Sequence, residues 1–135
     1  MTDQPQEYTP LATTIVGLQI LVVDDDSDLC RALSWLLRSA GFRVVTFPSA
    51  EALLAEDLVA LPACMVFDIH LAGISGLELA REVTIRGWNV PIIFITARDD
   101  ALTREQAKRA GAVAFLPKPF EGEALIRAIE SAACS

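Results

Sequence analysis

Ile20-Leu21-Val22-Val23 is short, continuous and β-branched, as expected of a strand covered on both faces. Similar runs recur along the chain in alternation with helical patterns. Phe42 to Phe47, Cys64 to Phe67, Ile92 to Ile95 and Val113 to Leu116 read as further strands. Between them, Leu29, Leu33, Leu36 and Leu37 fall at i, i+4, i+7 and i+8, one stripe of a helix. Asp26 or Ser27 caps its start and Gly41 closes its end. Further helices are expected over Ser49 to about Leu58, Leu77 to Ile85, Asp100 to Ala110, and through Leu125, Ala128, Ile129 and Ala132. Strands alternating with helices imply right-handed βαβ units and a parallel sheet. The expected fold is α/β: a doubly wound five-stranded parallel sheet of flavodoxin-like order 2-1-3-4-5, with helices on both faces.

The length of 135 residues suits one domain. Residues 1–17, polar and carrying Pro5 and Pro10, read as a flexible N-terminal tail, and residues 18–135 as the domain. The formal charge of −7 and the lack of any Lys/Arg cluster argue against direct nucleic-acid binding, which requires a basic face. The first basic residue is Arg31, so the N-terminus lacks the charged start expected of a secretory signal, and no apolar run approaches the roughly 18 residues of a membrane span. Three widely spaced cysteines, Cys30, Cys64 and Cys134, lack metal-ligand spacing. Cys64 reads as a buried thiol, and a reducing cytoplasmic setting fits best.

Ligands of such sheets bind beyond the carboxyl ends of the strands, at the switch in strand order. The first strand ends in Asp24-Asp25, the third in Asp68 and the fourth in Thr96, and Lys118 lies just past the fifth. Each has an ordinary reading alone: an acidic pair caps a helix, a threonine does the same, a lysine is solvated. Together, three crowded carboxylates call for a cation. Few carboxylates with positions left for water and phosphate suit Mg²⁺ better than Ca²⁺. A lysine and a hydroxyl beside them supply a charge and a donor for phosphoryl oxygens. The set amounts to a phosphoryl-transfer site in which a carboxylate is a candidate nucleophile.

At these residues the chain resembles the receiver domains of response regulators. The matching segments are Ile20 to Asp25, Val66-Phe67-Asp68, Gly73 to Leu79, Pro91 to Ala97, Ala110-Gly111-Ala112, and Phe115 through Lys118-Pro119-Phe120. The wording is similar to receivers of the nitrogen-fixation regulator type, with no output domain following in this sequence. The resemblance implies that Asp68 accepts a phosphoryl group from the phosphohistidine of a sensor histidine kinase or phosphotransfer protein. It implies Mg²⁺ held by Asp24, Asp25, Asp68 and the backbone carbonyl of His70, with Asp24 partly through water. Thr96 would donate its hydroxyl to a phosphoryl oxygen and Lys118 would pair with another, while the small Ala97 leaves the approach open. Thr96 and Phe115 would form the conformational switch, and the Lys118-Pro119 peptide would be cis. The fourth helix, fifth strand and fifth helix would present the output face to a downstream protein, with homodimerisation on phosphorylation a further expectation. The chain would thus be a single-domain regulator and not an enzyme beyond its own phosphorylation and dephosphorylation.

There are departures. Ala72 stands where the family usually has proline, and His70 and Arg98 occupy variable positions two residues past Asp68 and Thr96. His70 reads as a solvent-exposed loop residue, and Trp35 and Trp88 as packing residues. A phosphatase of the haloacid dehalogenase type would place a second aspartate where His70 stands. A phosphorylation-independent interaction module would not need the acidic pair, Thr96 and Lys118.

Overall fold

The computed structural model describes residues 17–133. Apart from Gly17, the tail expected over residues 1–17 lies outside them, as does Cys134. Strands β1 (Gln19–Val23), β2 (Arg43–Phe47), β3 (Cys64–Asp68), β4 (Ile92–Thr96) and β5 (Ala114–Pro117) form one parallel sheet in the order β2-β1-β3-β4-β5. Helices α1 (Ser27–Ser39), α2 (Ala50–Leu54), α3 (Gly76–Ile85), α4 (Ala101–Arg109) and α5 (Gly122–Ala133) follow the strands in turn. The expected doubly wound, flavodoxin-like architecture is the one found.

The period of two along each strand divides the core. Ile20, Val22, Val66, Ile93 and Ile95 pack with Leu33 and Leu37 of α1 and Leu125 and Ile129 of α5. Their neighbours Leu21, Val23, Met65, Phe67 and Phe94 pack with Leu53 of α2, Leu79 and Val83 of α3 and Ala107 of α4. Each large side chain removed from water in this way contributes about 1.5–3 kcal/mol. The central strands β3 and β4 are buried at every residue, whereas the edges β2 and β5 are not. Cys64 is fully buried, and desolvation pushes its thiol up to about 12.

The ends of α1 settle which residue caps it: the Asp26 carboxylate accepts from the Asp28 and Leu29 amides. At the other end Gly41 takes φ +102°, and the Phe42 N–H returns to the Leu37 carbonyl. The second helix is shorter than Ser49 to Leu58. Ser49 caps it, but after Leu54 the Glu56 N–H turns back to the Leu53 carbonyl, three residues away. Arg86 takes the Leu54 carbonyl, satisfying a terminal acceptor from outside the helix. Trp35 is a correction: it is 75% exposed, because the leucine stripe of α1 turns that position away from the sheet. Trp88 does pack against the α3 side of the core, with the Arg86 guanidinium 5.3 Å from its ring centre.

Candidate functional site

The sheet register brings the strand ends together. Val23 pairs with Phe67 and Asp68 with Ile95, so Asp24 leaves β1 alongside the end of β3. Thr96 pairs with Pro117, and its carbonyl accepts the Lys118 N–H. Asp24 and Thr96 are buried to 1% and 0% exposure, Asp68 to 6%, and Asp25 is exposed. One carboxylate oxygen from each of Asp24, Asp25 and Asp68 lies within 4.8 Å of the others, the cluster of metal-ligating side chains among the described residues. The Lys118 ammonium reaches the same cluster, 2.9 Å from Asp24 Oδ2 and 3.5 Å from Asp68 Oδ2.

Backbone amides aim the carboxylates. The Asp26 N–H donates to Asp24 Oδ1 at 2.9 Å, and the His70 N–H to Asp68 Oδ1 at 3.2 Å. The Arg98 N–H donates to the Thr96 hydroxyl oxygen, while Asp100, not Thr96, caps α4. His70 is exposed. Phe115 sits opposite Phe94 in β5, half-buried, with the Arg104 guanidinium 5.0 Å from its ring centre. Arg104 is in turn paired with Asp99, just past β4.

Burial and the neighbouring Asp24 push the Asp68 carboxyl above its ordinary range, against the opposing pull of Lys118 and the His70 amide. Burial works against the Lys118 charge, but the hydrogen bond it donates to Asp24 and the two carboxylate charges outweigh it and hold the amine up. A carboxyl raised on folding stabilises the protein below its unfolded pKa, and that contribution is lost as pH rises through the folded value. Asp68→Asn is therefore expected to stabilise the metal-free protein at pH 7, by on the order of 1 kcal/mol. The gain should fade as the pH falls into the carboxylate range; denaturant titrations in a chelator at the two pH values measure it.

All three carboxylates and the backbone carbonyls near them offer oxygen, the donor set of a hard cation such as Mg²⁺ rather than of zinc. Residues outside the expected set hold the site's backbone or the loop beside it. The Cys30 thiol donates to the Asp24 carbonyl at 3.2 Å, Ala72 N–H to Asp25 Oδ2, and Ile74 N–H to Glu51 Oε2. Nothing in the sequence marked them: Cys30 and Glu51 sit at unremarkable helix positions, and the other two act through backbone.

A five-stranded sheet of this order with an acidic cluster and a lysine at its carboxyl rim defines the receiver class of flavodoxin-like domains. The family model for the response regulator receiver domain matches residues 20–130, and the chain belongs to that family. The transcriptional regulatory protein TdiR of Thauera aromatica is 38% identical over 113 residues, covering 84% of this chain and 50% of TdiR. The transcriptional regulatory protein FixJ of Azorhizobium caulinodans is 36% identical over 115 residues, covering 85% of this chain and 54% of FixJ. The crystal structure of FixJ-N superposes with a TM-score of 0.80 at 35% identity, covering 88% of this chain and 95% of that one. The chain thus spans about half the length of the curated relatives it matches. Among the described residues, no helix is long and apolar enough to cross a membrane.

Proposed function

We propose that this receiver domain accepts a phosphoryl group on Asp68 from a sensor histidine kinase or phosphotransfer protein, in a Mg²⁺-dependent reaction, and signals by binding a protein partner. The observation that carries this is the convergence of three carboxylates within 4.8 Å of one another with the Lys118 ammonium 2.9 Å from Asp24 and 3.5 Å from Asp68. A carboxylate oxygen of Asp68 attacks the phosphorus of the donor phosphohistidine. The phosphorus–nitrogen bond breaks, its electron pair stays on the imidazole, and Asp68 carries an acyl phosphate. Later attack of water on phosphorus breaks the phosphorus–oxygen bond to Asp68, releasing inorganic phosphate and restoring the carboxylate.

Asp24, Asp25, Asp68 and the His70 carbonyl would hold the Mg²⁺, which when bound offsets the charge of the carboxylates and the phosphoryl oxygens. Lys118, already within reach of Asp68, exchanges that contact for a phosphoryl oxygen, and the Thr96 hydroxyl donates to another. Drawing Thr96 toward the phosphoryl group biases Phe115 in the neighbouring strand, and with it the α4–β5–α5 face. That face is proposed for a downstream protein, or for a second copy of the chain after phosphorylation. A groove of about 620 Å³ beside Lys118, lined by Leu29, Leu33, Leu36 and Phe120, suits an apolar helix of the phosphodonor. The charge of −7 supports action through a protein rather than through nucleic acid, in the cytoplasm where such kinases deliver phosphate. Residues 18–135 are proposed to be sufficient as the receiver unit.

The test uses a small acyl phosphate such as acetyl phosphate with Mg²⁺. Intact-protein mass spectrometry should find one phosphoryl group added, none in excess chelator, and none on Asp68→Asn. Normal labelling of the Asn variant would sink the assignment.

A further inference from the structure

The segment from Ile69 to Ser75 joins the strand bearing Asp68 to α3, and two carboxylates from elsewhere in the chain hold its backbone. The Ala72 N–H donates to Asp25 Oδ2 at 3.4 Å, across 47 positions of sequence. The Ile74 N–H donates to Glu51 Oε2 at 3.0 Å, across 23 positions. Glu51 lies in the first turn of α2 and is exposed, where a long side chain ordinarily keeps its rotamer freedom and its hydration. It forms no ion pair among the described residues.

The loop is shaped around this carboxylate. A Cβ on Gly73 would lie 2.4 Å from Glu51 Oε2, and Gly73 takes φ +76°. A residue with a side chain there would meet both the carboxylate and a disfavoured backbone region. At the other end of the segment the Gly76 N–H bonds the Ile69 carbonyl, closing the loop, and Ser75 with Glu78 forms a capping box at the start of α3. Between these fixed points lie His70, whose amide holds Asp68, and Ala72, whose amide holds Asp25.

We infer that Glu51 is a positioning residue for the cation site. By anchoring Ile74 it fixes the backbone on which His70 and Ala72 ride, and so sets the reach of Asp25, Asp68 and the His70 carbonyl toward one ion. The inference rests on the Mg²⁺-dependent reading above and goes beyond it in assigning a role to a residue of α2 that touches neither ion nor phosphate.

The test compares the full chain with Glu51→Ala and Glu51→Gln. Amide hydrogen exchange without metal reads the loop; titration calorimetry with Mg²⁺ reads the site. In Glu51→Ala the Ile74 amide should exchange about tenfold faster and the Mg²⁺ Kd should rise about fivefold, the scale of one charge-assisted hydrogen bond. Exchange in the centre of α3 should stay unchanged. Glu51→Gln keeps an acceptor oxygen and should remain within about twofold of the parent in both readouts. Unaltered Ile74 exchange and Mg²⁺ affinity in Glu51→Ala would overturn the role. Failure of the parent protein itself to bind Mg²⁺ would instead overturn the functional reading, and the exchange rates would still report whether Glu51 holds the loop.

Discussion

Lys118→Met is expected to lose about 3 kcal/mol of stability at pH 7 without divalent metal, and most of its phosphorylation rate. The ammonium lies 2.9 Å from an Asp24 carboxylate with no exposed side-chain surface, and 3.5 Å from Asp68. Taking it away leaves two buried carboxylates facing each other across a pocket with one exposed acid beside it. Breaking a buried pair from one side costs more than the pair contributes, because the remaining charge stays desolvated. The sign of the pH dependence follows from Asp68. Burial and Asp24 already push its carboxyl up, and loss of Lys118, the charge that lowers it, pushes it further. The variant's deficit is therefore greatest above the raised folded value and shrinks as pH falls and Asp68 takes up a proton. Guanidinium titrations at pH 7 and about pH 4.5 separate this from a packing loss, which would be the same at both.

Mg²⁺ provides a second, independent handle on the same electrostatics. A divalent ion binding the folded state alone stabilises it by mass action, and it should bind the Met variant as an alternative counter-charge. Saturating Mg²⁺ should then restore part of the lost stability but little of the phosphorylation rate, since the positive group facing the phosphoryl oxygens is still missing. In Asp68→Asn the order reverses: more stable than the parent in chelator, and less responsive to Mg²⁺ because one ligand oxygen has lost its charge.

How much of this was legible from residues alone depended on which physical scale set each feature. The central strands announced themselves, since burial on both faces demands apolar residues in succession, as in Cys64–Phe67 and Ile92–Ile95. The strand order expected was the flavodoxin-like one of the common doubly wound orders, and that order makes neighbours of β1 and β3. Proximity of Asp24, Asp25 and Asp68 is a consequence of backbone topology, so sequence could anticipate it. The features it could not anticipate depend on side-chain reach. The last carbonyl of α2 is taken by Arg86, 32 positions away. The exposure of Trp35 depends on the stripe of α1 being narrower than its apolar content suggests. Glu51 on the Ile74 amide and Arg104 over Phe115 join long side chains to remote partners, and periodicity carries no trace of such contacts.

Gly76→Ala should cost more than any other single methyl added to this domain's glycines, about 3 kcal/mol or more. Gly76 begins α3 with ordinary helical backbone, so conformational freedom is not what it provides. A Cβ there would lie 2.2 Å from the Asp68 carbonyl oxygen and 2.9 Å from both the Asp68 carbonyl carbon and Ile69 Cα. All three are backbone atoms of the strand end that carries the proposed phosphoacceptor, so no rotamer change relieves the overlap. Either α3 moves off the sheet, opening the contacts of Leu79 and Val83, or the end of β3 moves and takes the Asp68 carboxylate out of line with Lys118. Gly87→Ala is the matched control. Gly87 has φ +80° but nothing within 4 Å of an added Cβ, so only the left-handed backbone is penalised, by about 1–2 kcal/mol. Thermal unfolding should rank Gly76→Ala as the lower-melting variant, roughly 10 °C below the parent for a domain of this size. Residual folded Gly76→Ala protein should also bind Mg²⁺ more weakly, whereas Gly87→Ala should bind it as the parent does. Equal losses in the two variants would mean that backbone conformation, not the close fit of α3 on the Asp68 carbonyl, governs this end of the sheet.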